Sequence, residues 1–433
     1  IYIVQEGDSL TAIAERFGVS IDDLIAYNRL TNPDFLKPGD QLIIPGLEGI
    51  EGQLQTKPVV LGDTLRSLSR RYQFPEAMLV KLNHLSSPDE LYLGSNLVLL
   101  TRSDEKLYNR RRMIINGQSL LELAVLENVN PWFLVAANGL PGSWAGLPGD
   151  VLALPGDEPE GPGALPPSLQ SVSLEPLPLV QGKTAVVRVE ADQGIHLAGE
   201  LAGRGLHFFF EDNGDQVALQ GIYARQEPGV YPLSLKGSFA DGTTFGFSQL
   251  VLINDGGYPY DPSLPVDPVT IDPEVTEPEN MQWTALVSVV TPEKYWQGAF
   301  SAPVEAVFAE CFPSRFGSRR SYNYGPYDYF HTGLDFCGQV GNNVYAPAEG
   351  VVIFSGFLTV RGNATVIDHG WGIYTAYLHQ SEILVQTGER VEKGQLIGKV
   401  GATGRVSGPH LHWEVIVGGV QVDPMDWLER EYP

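Results

Sequence analysis

A short pattern that returns at a fixed interval constrains this chain more than any other feature. Gly7-Asp8-Ser9-Leu10 recurs as Gly62-Asp63-Thr64-Leu65 and again as Gly117-Gln118-Ser119-Leu120, 55 residues apart each time. Asn28, Asn83 and Asn138 keep the same offset, as do Gly39, Gly94 and Gly149, then Leu42, Leu97 and Leu152. Landmarks held in register twice over mean that the first 155 residues are three tandem copies of one unit. In copy one Leu10, Ile13, Ala14 and Phe17 share one helical face. Asp8 or Ser9 is placed to cap that helix and Gly18 to stop it. A second helix is predicted from about Ser20 to Asn28, and the flanking apolar runs read as strands. The expected unit is strand, helix, helix, strand.

The GDSL loop, the AYN segment and LKPGDQLIIP resemble the LysM domain, a small module that binds N-acetylglucosamine-containing glycans such as peptidoglycan and chitin. The resemblance implies three βααβ modules at residues 1–46, 56–101 and 108–155, with a shallow sugar groove beside the GDSL loop. Gly7, Asn28 and Gly39 themselves read as turn and cap residues rather than sugar contacts.

At 433 residues the chain needs several cores. Its 48 glycines, 32 prolines and only 18% charged residues point to turn-rich β structure. A net charge of −24 excludes the basic stripe of a nucleic-acid binder and a polybasic lipid anchor. The acidity is unevenly spread: residues 1–155 and 297–433 each carry −5, and residues 156–296 carry −14. No run approaches the 18 apolar residues that a transmembrane helix requires. Cys311 and Cys337 form either one bridge in an exported protein or two buried thiols in a reduced one.

After a Pro/Gly linker at 156–167, residues 168–255 show short alternating β runs such as TAVVRVEA and VYPLSLK. Their spacing predicts an all-β, immunoglobulin-like sandwich acting as a spacer. His196 and His207 lie there without partners at ligand spacing. Residues 256–296 are acidic and proline-rich, and they are expected to form an extended linker or strap.

Five of the eight histidines fall in the last 137 residues. His331 and Asp335 form an H-x-x-x-D, His410 and His412 an H-x-H, and His379 follows Tyr377-Leu378. On a strand, i and i+2 project to one face, so His410 and His412 point together. Two histidines and a carboxylate are a common ligand set for a zinc that keeps one position open for water. The other two histidines can then orient or deprotonate that water and stabilise the oxyanion. Glu414 continues the face of the H-x-H and is a candidate partner for a ligating histidine. Tyr324, Tyr327 and Tyr329, with Tyr322, crowd the approach to His331 and are candidate substrate-binding residues. His369 falls in a predicted hairpin turn.

HTGLDF, VYAPAEGVV, VIDHGWGIYTAYLHQSE, GERVEKGQLIGKVGATG and SGPHLHWEV resemble the M23 metallopeptidases, the lysostaphin- and LytM-type peptidoglycan endopeptidases. The resemblance implies an antiparallel β-rich peptidase domain at 297–433. It also implies one Zn²⁺ per chain held by His331, Asp335 and His412, with His379 and His410 as the catalytic pair, and a structural role for His369. The whole chain then reads as a multidomain α+β and β protein. It would be a zinc endopeptidase cutting peptide stems or cross-bridges of peptidoglycan, held on the glycan by LysM modules, outside the cell or in the periplasm. The alternative is an inactive or latent peptidase-like protein that binds glycan and activates another wall hydrolase.

Overall fold

The same sequence unit folds three times into the same order of elements. Copy one has strands Tyr2–Ile3 and Gln41–Leu42 around helices Leu10–Phe17 and Ile21–Asn28. Copy two has Gln53–Pro58, Leu65–Tyr72, Glu76–Leu82 and Asn96–Thr101; copy three has Arg110–Met113, Leu120–Leu126, Pro131–Ala137 and Val151–Leu154. Ser9, Thr64 and Ser119 cap the first helix of each copy through their hydroxyls.

The recurring asparagine explains the register. Asn28 donates to the carbonyls of Leu24 and Ile43 and accepts from the Ile43 N–H. Asn83 does the same with Leu79 and Val98, and Asn138 with Leu134 and Ala153. Each asparagine therefore pins the end of the second helix to the closing strand. The glycines before the first helix, Gly7, Gly62 and Gly117, all have left-handed backbones, with φ of +87°, +97° and +80°.

The computed structural model describes the whole chain except residues 33–35, 48–51, 87–90, 102–107, 157, 159–161 and 193. Part of the expected linker 156–167 thus lies outside the described residues. Two compact units emerge: Ile1–Ser173 with Val189–Gly203 and Val230–Leu252, and Leu174–Arg188 with Arg204–Gly229 and Ile253–Pro433. Within the first, copies one and two share a sheet, with Tyr2 paired in parallel to Leu54, and a single apolar core. Copy three keeps its own core around Leu120, Leu134 and Leu152. The β runs expected at 168–255 are strands, and they are divided between the two units; His196–Leu201 pairs with Gly229–Ser238 in the first, and Phe209–Phe210 with Gln216–Gly221 in the second. No single helix among the described residues is long and apolar enough to cross a membrane.

The second unit is built on one antiparallel sheet. Its strands are β1 (Leu334–Cys337), β2 (Gly350–Leu358), β3 (Gly362–Gly370), β4 (Ile373–Gln380), β5 (Arg390–Val391), β6 (His410–Val417) and β7 (Val420–Val422). The spatial order is β1-β6-β4-β3-β2-β5, with β7 also paired to β6. Alternation sorts β6 cleanly. Leu411, Trp413, Val415 and Val417 enter the main core with Phe336, Trp296 and Trp427, whereas His410, His412, Glu414 and Ile416 take the other face.

The proline-rich segment corrects the expectation of an extended strap. Pro273–Leu286 is a 14-residue helix, α1, begun by an Asp272 cap with Pro273 in its first position. Trp283 of α1, with Val287 just beyond, packs on Leu358, Ala364, Val366, Tyr374, Ala376, Leu378 and Ile416, covering the apolar half of the second sheet face. Glu279 accepts the N–H groups of Val360 and Arg361 at 2.9 and 3.2 Å, and Arg361 Nη1 at 2.8 Å. One tryptophan and one buried carboxylate anchor a segment too acidic to form a core alone.

His369 lies within β3, one residue before its end, rather than in the turn, which falls at Trp371 and Gly372. It is fully buried, with Nδ1 donating to the Glu349 carbonyl at 2.7 Å and Nε2 2.8 Å from Thr375 Oγ1. Burial holds its pKa down at about 4, against an ordinary 6.5. The folded state then binds fewer protons than the unfolded chain below pH 6.5. Its contribution is complete above that pH and is lost as pH falls toward 4, by about 3 kcal/mol. Urea unfolding followed by tryptophan fluorescence at pH 7 and pH 4 should show a loss smaller by about that amount in His369→Gln than in the parent.

Candidate active site

Register brings the separate motifs together. Asp335 on β1 lies directly across from His412 on β6, and Cys337 across from His410. His331 precedes β1 in the link from strand Tyr329–Phe330, and its ring reaches the same place. His331 Nε2, Asp335 Oδ1 and His412 Nδ1 form a triangle with every side 2.9 Å, and all three residues are buried. Cys311 and Cys337 form a disulfide, and the Cys337 N–H donates to the Cys311 carbonyl, tying β1 to the preceding loop.

The remaining ring nitrogens are committed elsewhere. His331 Nδ1 donates to the Arg315 carbonyl at 2.8 Å, with Ser314 Oγ at 3.1 Å. His412 Nε2 donates to Glu414 Oε1 at 3.2 Å, and Glu414 Oε1 also accepts the Thr332 hydroxyl at 2.6 Å. Once His412 gives up its Nδ1 proton, two imidazole lone pairs and a carboxylate oxygen face one point. A proton satisfies that arrangement only in part, whereas a cation satisfies all three donors, so the residues fit a zinc-type ligand set.

The surrounding groups favour one positive charge at this point, a proton on His412 or a cation in its place. Burial pushes His331 down to about 4, which keeps it neutral. Burial alone would raise Asp335, but His331 and His412 hold it well below the usual carboxylate range. Burial would likewise lower His412; Asp335 and Glu414 outweigh it and lift its pKa to about 9. Burial raises and His412 lowers Glu414, with a net fall.

His379 arrives by a broken alternation. Tyr377 pairs with Trp413 and Leu378 with His412, so a regular strand would send His379 to the core face. Its backbone is instead left-handed, at φ +63°, beside a bulge in the β3–β4 pairing. The ring ends 5.2 Å from His410 and 5.8 Å from His412, centroid to centroid. Its Nδ1 donates to the Thr403 carbonyl at 2.8 Å, leaving Nε2 unprotonated. Burial, then His412 and His410, keep its pKa well below 6.5. His410 donates from Nδ1 to the Gly408 carbonyl at 2.9 Å, and its Nε2 lies 3.5 Å from Asp335 Oδ1.

These groups open into a groove of about 1020 Å³. Tyr322 and Tyr329 line it. Tyr324 and Tyr327 do not: Tyr324 is 94% exposed, and the Tyr327 hydroxyl donates to the Asp261 carbonyl. Residues 259–266 form one wall, hydrogen-bonded along 319–323. Sequence reasoning missed Thr332, Arg320 and Arg405, which line the groove, and Thr403, which holds His379; all four arrive by tertiary placement and carry no spacing signal.

The family model for peptidase family M23 matches residues 329–424, and that for the LysM domain matches 2–45 and 59–99. Over 95 residues the chain is 48% identical to the peptidoglycan DD-endopeptidase ShyA of Vibrio cholerae, covering 22% of each chain. It is 46% identical over 94 residues to ShyC of the same organism, again 22% of each. It is 43% identical over 95 residues to the DD-carboxypeptidase/endopeptidase Mpg of Neisseria meningitidis, also 22% of each. The match thus spans about a fifth of these relatives' length. The segment that carries His331, Asp335, His379, His410 and His412 is a peptidase domain of family M23, joined in one chain to N-terminal LysM domains.

Proposed function

We propose that this chain is a zinc-dependent peptidoglycan DD-endopeptidase. The 2.9 Å triangle of His331 Nε2, Asp335 Oδ1 and His412 Nδ1 carries the proposal, because it holds three buried donors toward one point with two further histidines beside it. The named relatives supply the substrate class. Zinc bound by those three residues would supply Lewis acidity, acidifying water and polarising the scissile carbonyl. His379 Nε2 accepts the proton of the attacking water and returns it to the leaving amine. His410, its Nδ1 committed to Gly408, orients the same water through Nε2. Glu414 and Thr332 hold the His412 ring at the angle the triangle requires.

Three LysM-like modules would hold the enzyme on glycan; the third shares the asparagine pin and the capping hydroxyl of the other two. The strands of 168–255 act as an immunoglobulin-like spacer in this reading. The disulfide suits an oxidising, extracellular or periplasmic compartment. Mass spectrometry of fragments from two purified peptidoglycans tests the substrate. New D-alanine termini are expected from a D-alanyl–diaminopimelate cross-linked wall, and release only from glycine bridges would reject the assignment.

Glu414→Gln should weaken metal affinity by about 10- to 100-fold, because His412 Nε2–H then meets a neutral, weaker acceptor in place of the carboxylate that orients it. Competition with a coloured chelator measures this. An unchanged affinity would make Glu414 a packing residue only.

A further inference from the structure

Among the described residues, Arg405 lines the groove beside the histidines without forming an ion pair with a carboxylate. Residues 401–409 link strand Leu396–Lys399 to β6 and hold both outer histidines, through the Thr403 carbonyl for His379 and the Gly408 carbonyl for His410. Between those two anchors the same loop presents Arg405, whose N–H donates to the Val360 carbonyl at 2.8 Å. Its guanidinium carbon lies 4.5 Å from the Tyr322 ring centroid and 5.8 Å from that of Tyr329. Nη1 donates to the Thr270 carbonyl at 3.1 Å.

Of the other arginines along the groove, Arg361 and Arg320 have acidic neighbours, and Arg315 lies 5.0 Å from the Phe312 ring centroid. Arg361 pairs with Glu279 at 2.8 Å, and Arg320 lies 3.6 Å from Asp261 and 3.7 Å from Asp335. Among the described residues no carboxylate forms an ion pair with Arg405. Burial, together with Arg361 and Arg320 nearby, disfavours its charge, which an arriving anion would relieve. A planar guanidinium fixed by aromatic rings is suited to two parallel hydrogen bonds with a carboxylate. Because Arg405 and the histidines line one groove, an anion bound there belongs to the molecule being cut.

We propose that Arg405 is a specificity-determining residue that binds a free carboxylate on the peptide beside the scissile amide. The assignment rests on the endopeptidase reading and adds what the groove selects: an anionic cross-link rather than a neutral bridge.

The test uses the full chain loaded with zinc and a synthetic D-alanyl–diaminopimelate peptide. The diaminopimelate carboxylate next to the scissile amide is either free or converted to the carboxamide. The parent should prefer the free acid about 10- to 100-fold in kcat/KM, the scale of a charge-assisted hydrogen bond. Arg405→Gln should erase that preference by slowing cleavage of the acid while changing the amide by less than about threefold. Arg405→Lys, which keeps charge without the planar fork, should retain part of the preference and carries the test if Arg405→Gln does not fold. Equal slowing of both peptides means that Arg405 only shapes the loop, and equal rates in the parent likewise overturn the assignment. Cleavage of neither peptide by the parent rejects the endopeptidase reading itself. Calorimetric binding of the uncleaved acid then decides Arg405, and equal affinity for parent and variant rejects it.

Discussion

Replacing His331 with alanine should remove both the metal and the activity. Its Nε2 supplies one corner of a triangle whose other corners, Asp335 and His412, cannot close alone around a cation that prefers four ligands. Elemental analysis should find about one zinc in the parent and less than about a tenth in the variant. The release of amines from peptidoglycan should fall by more than about 10³-fold, beyond the 10- to 100-fold expected when only a partner of a ligand is lost. The ring also donates to the Arg315 carbonyl, so His331→Gln is the companion variant, keeping a polar group in that space. A parent that carries no metal and releases no amines would instead support an inactive, glycan-binding protein.

His379 should separate chemistry from metal binding. Its Nδ1 is held by the Thr403 carbonyl, and burial keeps the ring neutral, so the side chain offers a base rather than a third imidazole ligand. His379→Asn is the informative replacement, because asparagine tolerates the left-handed backbone at φ +63° while lacking a basic nitrogen. The variant should keep its zinc and lose about 10²- to 10⁴-fold in kcat, the usual contribution of a positioned general base. Loss of metal together with activity would move His379 into the ligand set. An unchanged kcat would leave His410 as the base.

Much of this was legible in the chain itself. The 55-residue interval exposed the modules because Asn28, Asn83 and Asn138 make one pair of local contacts that any copy must repeat. His410 and His412 were legible as a pair because strand alternation is a local rule, and Glu414 followed from it. The Asp272-Pro273 start of α1 was a readable local signal too. It was obscured by the count of prolines and acids, because the helix is stabilised by Trp283 and Glu279 on distant partners.

The sequence by itself determined the repeating unit and the β character of the C-terminal region, and it singled out five candidate site residues, since these depend on spacing along one segment. Only the tertiary structure decided that copies one and two share a sheet and a core, and that Cys311 and Cys337 are bonded. It also decided that a bulge turns His379 against its strand's alternation, and that Arg405 stands in the groove with no carboxylate ion-paired to it among the described residues. Those features depend on which strands become neighbours across β1, β6 and β4, and pairing between segments up to 81 residues apart leaves no periodic trace in either one.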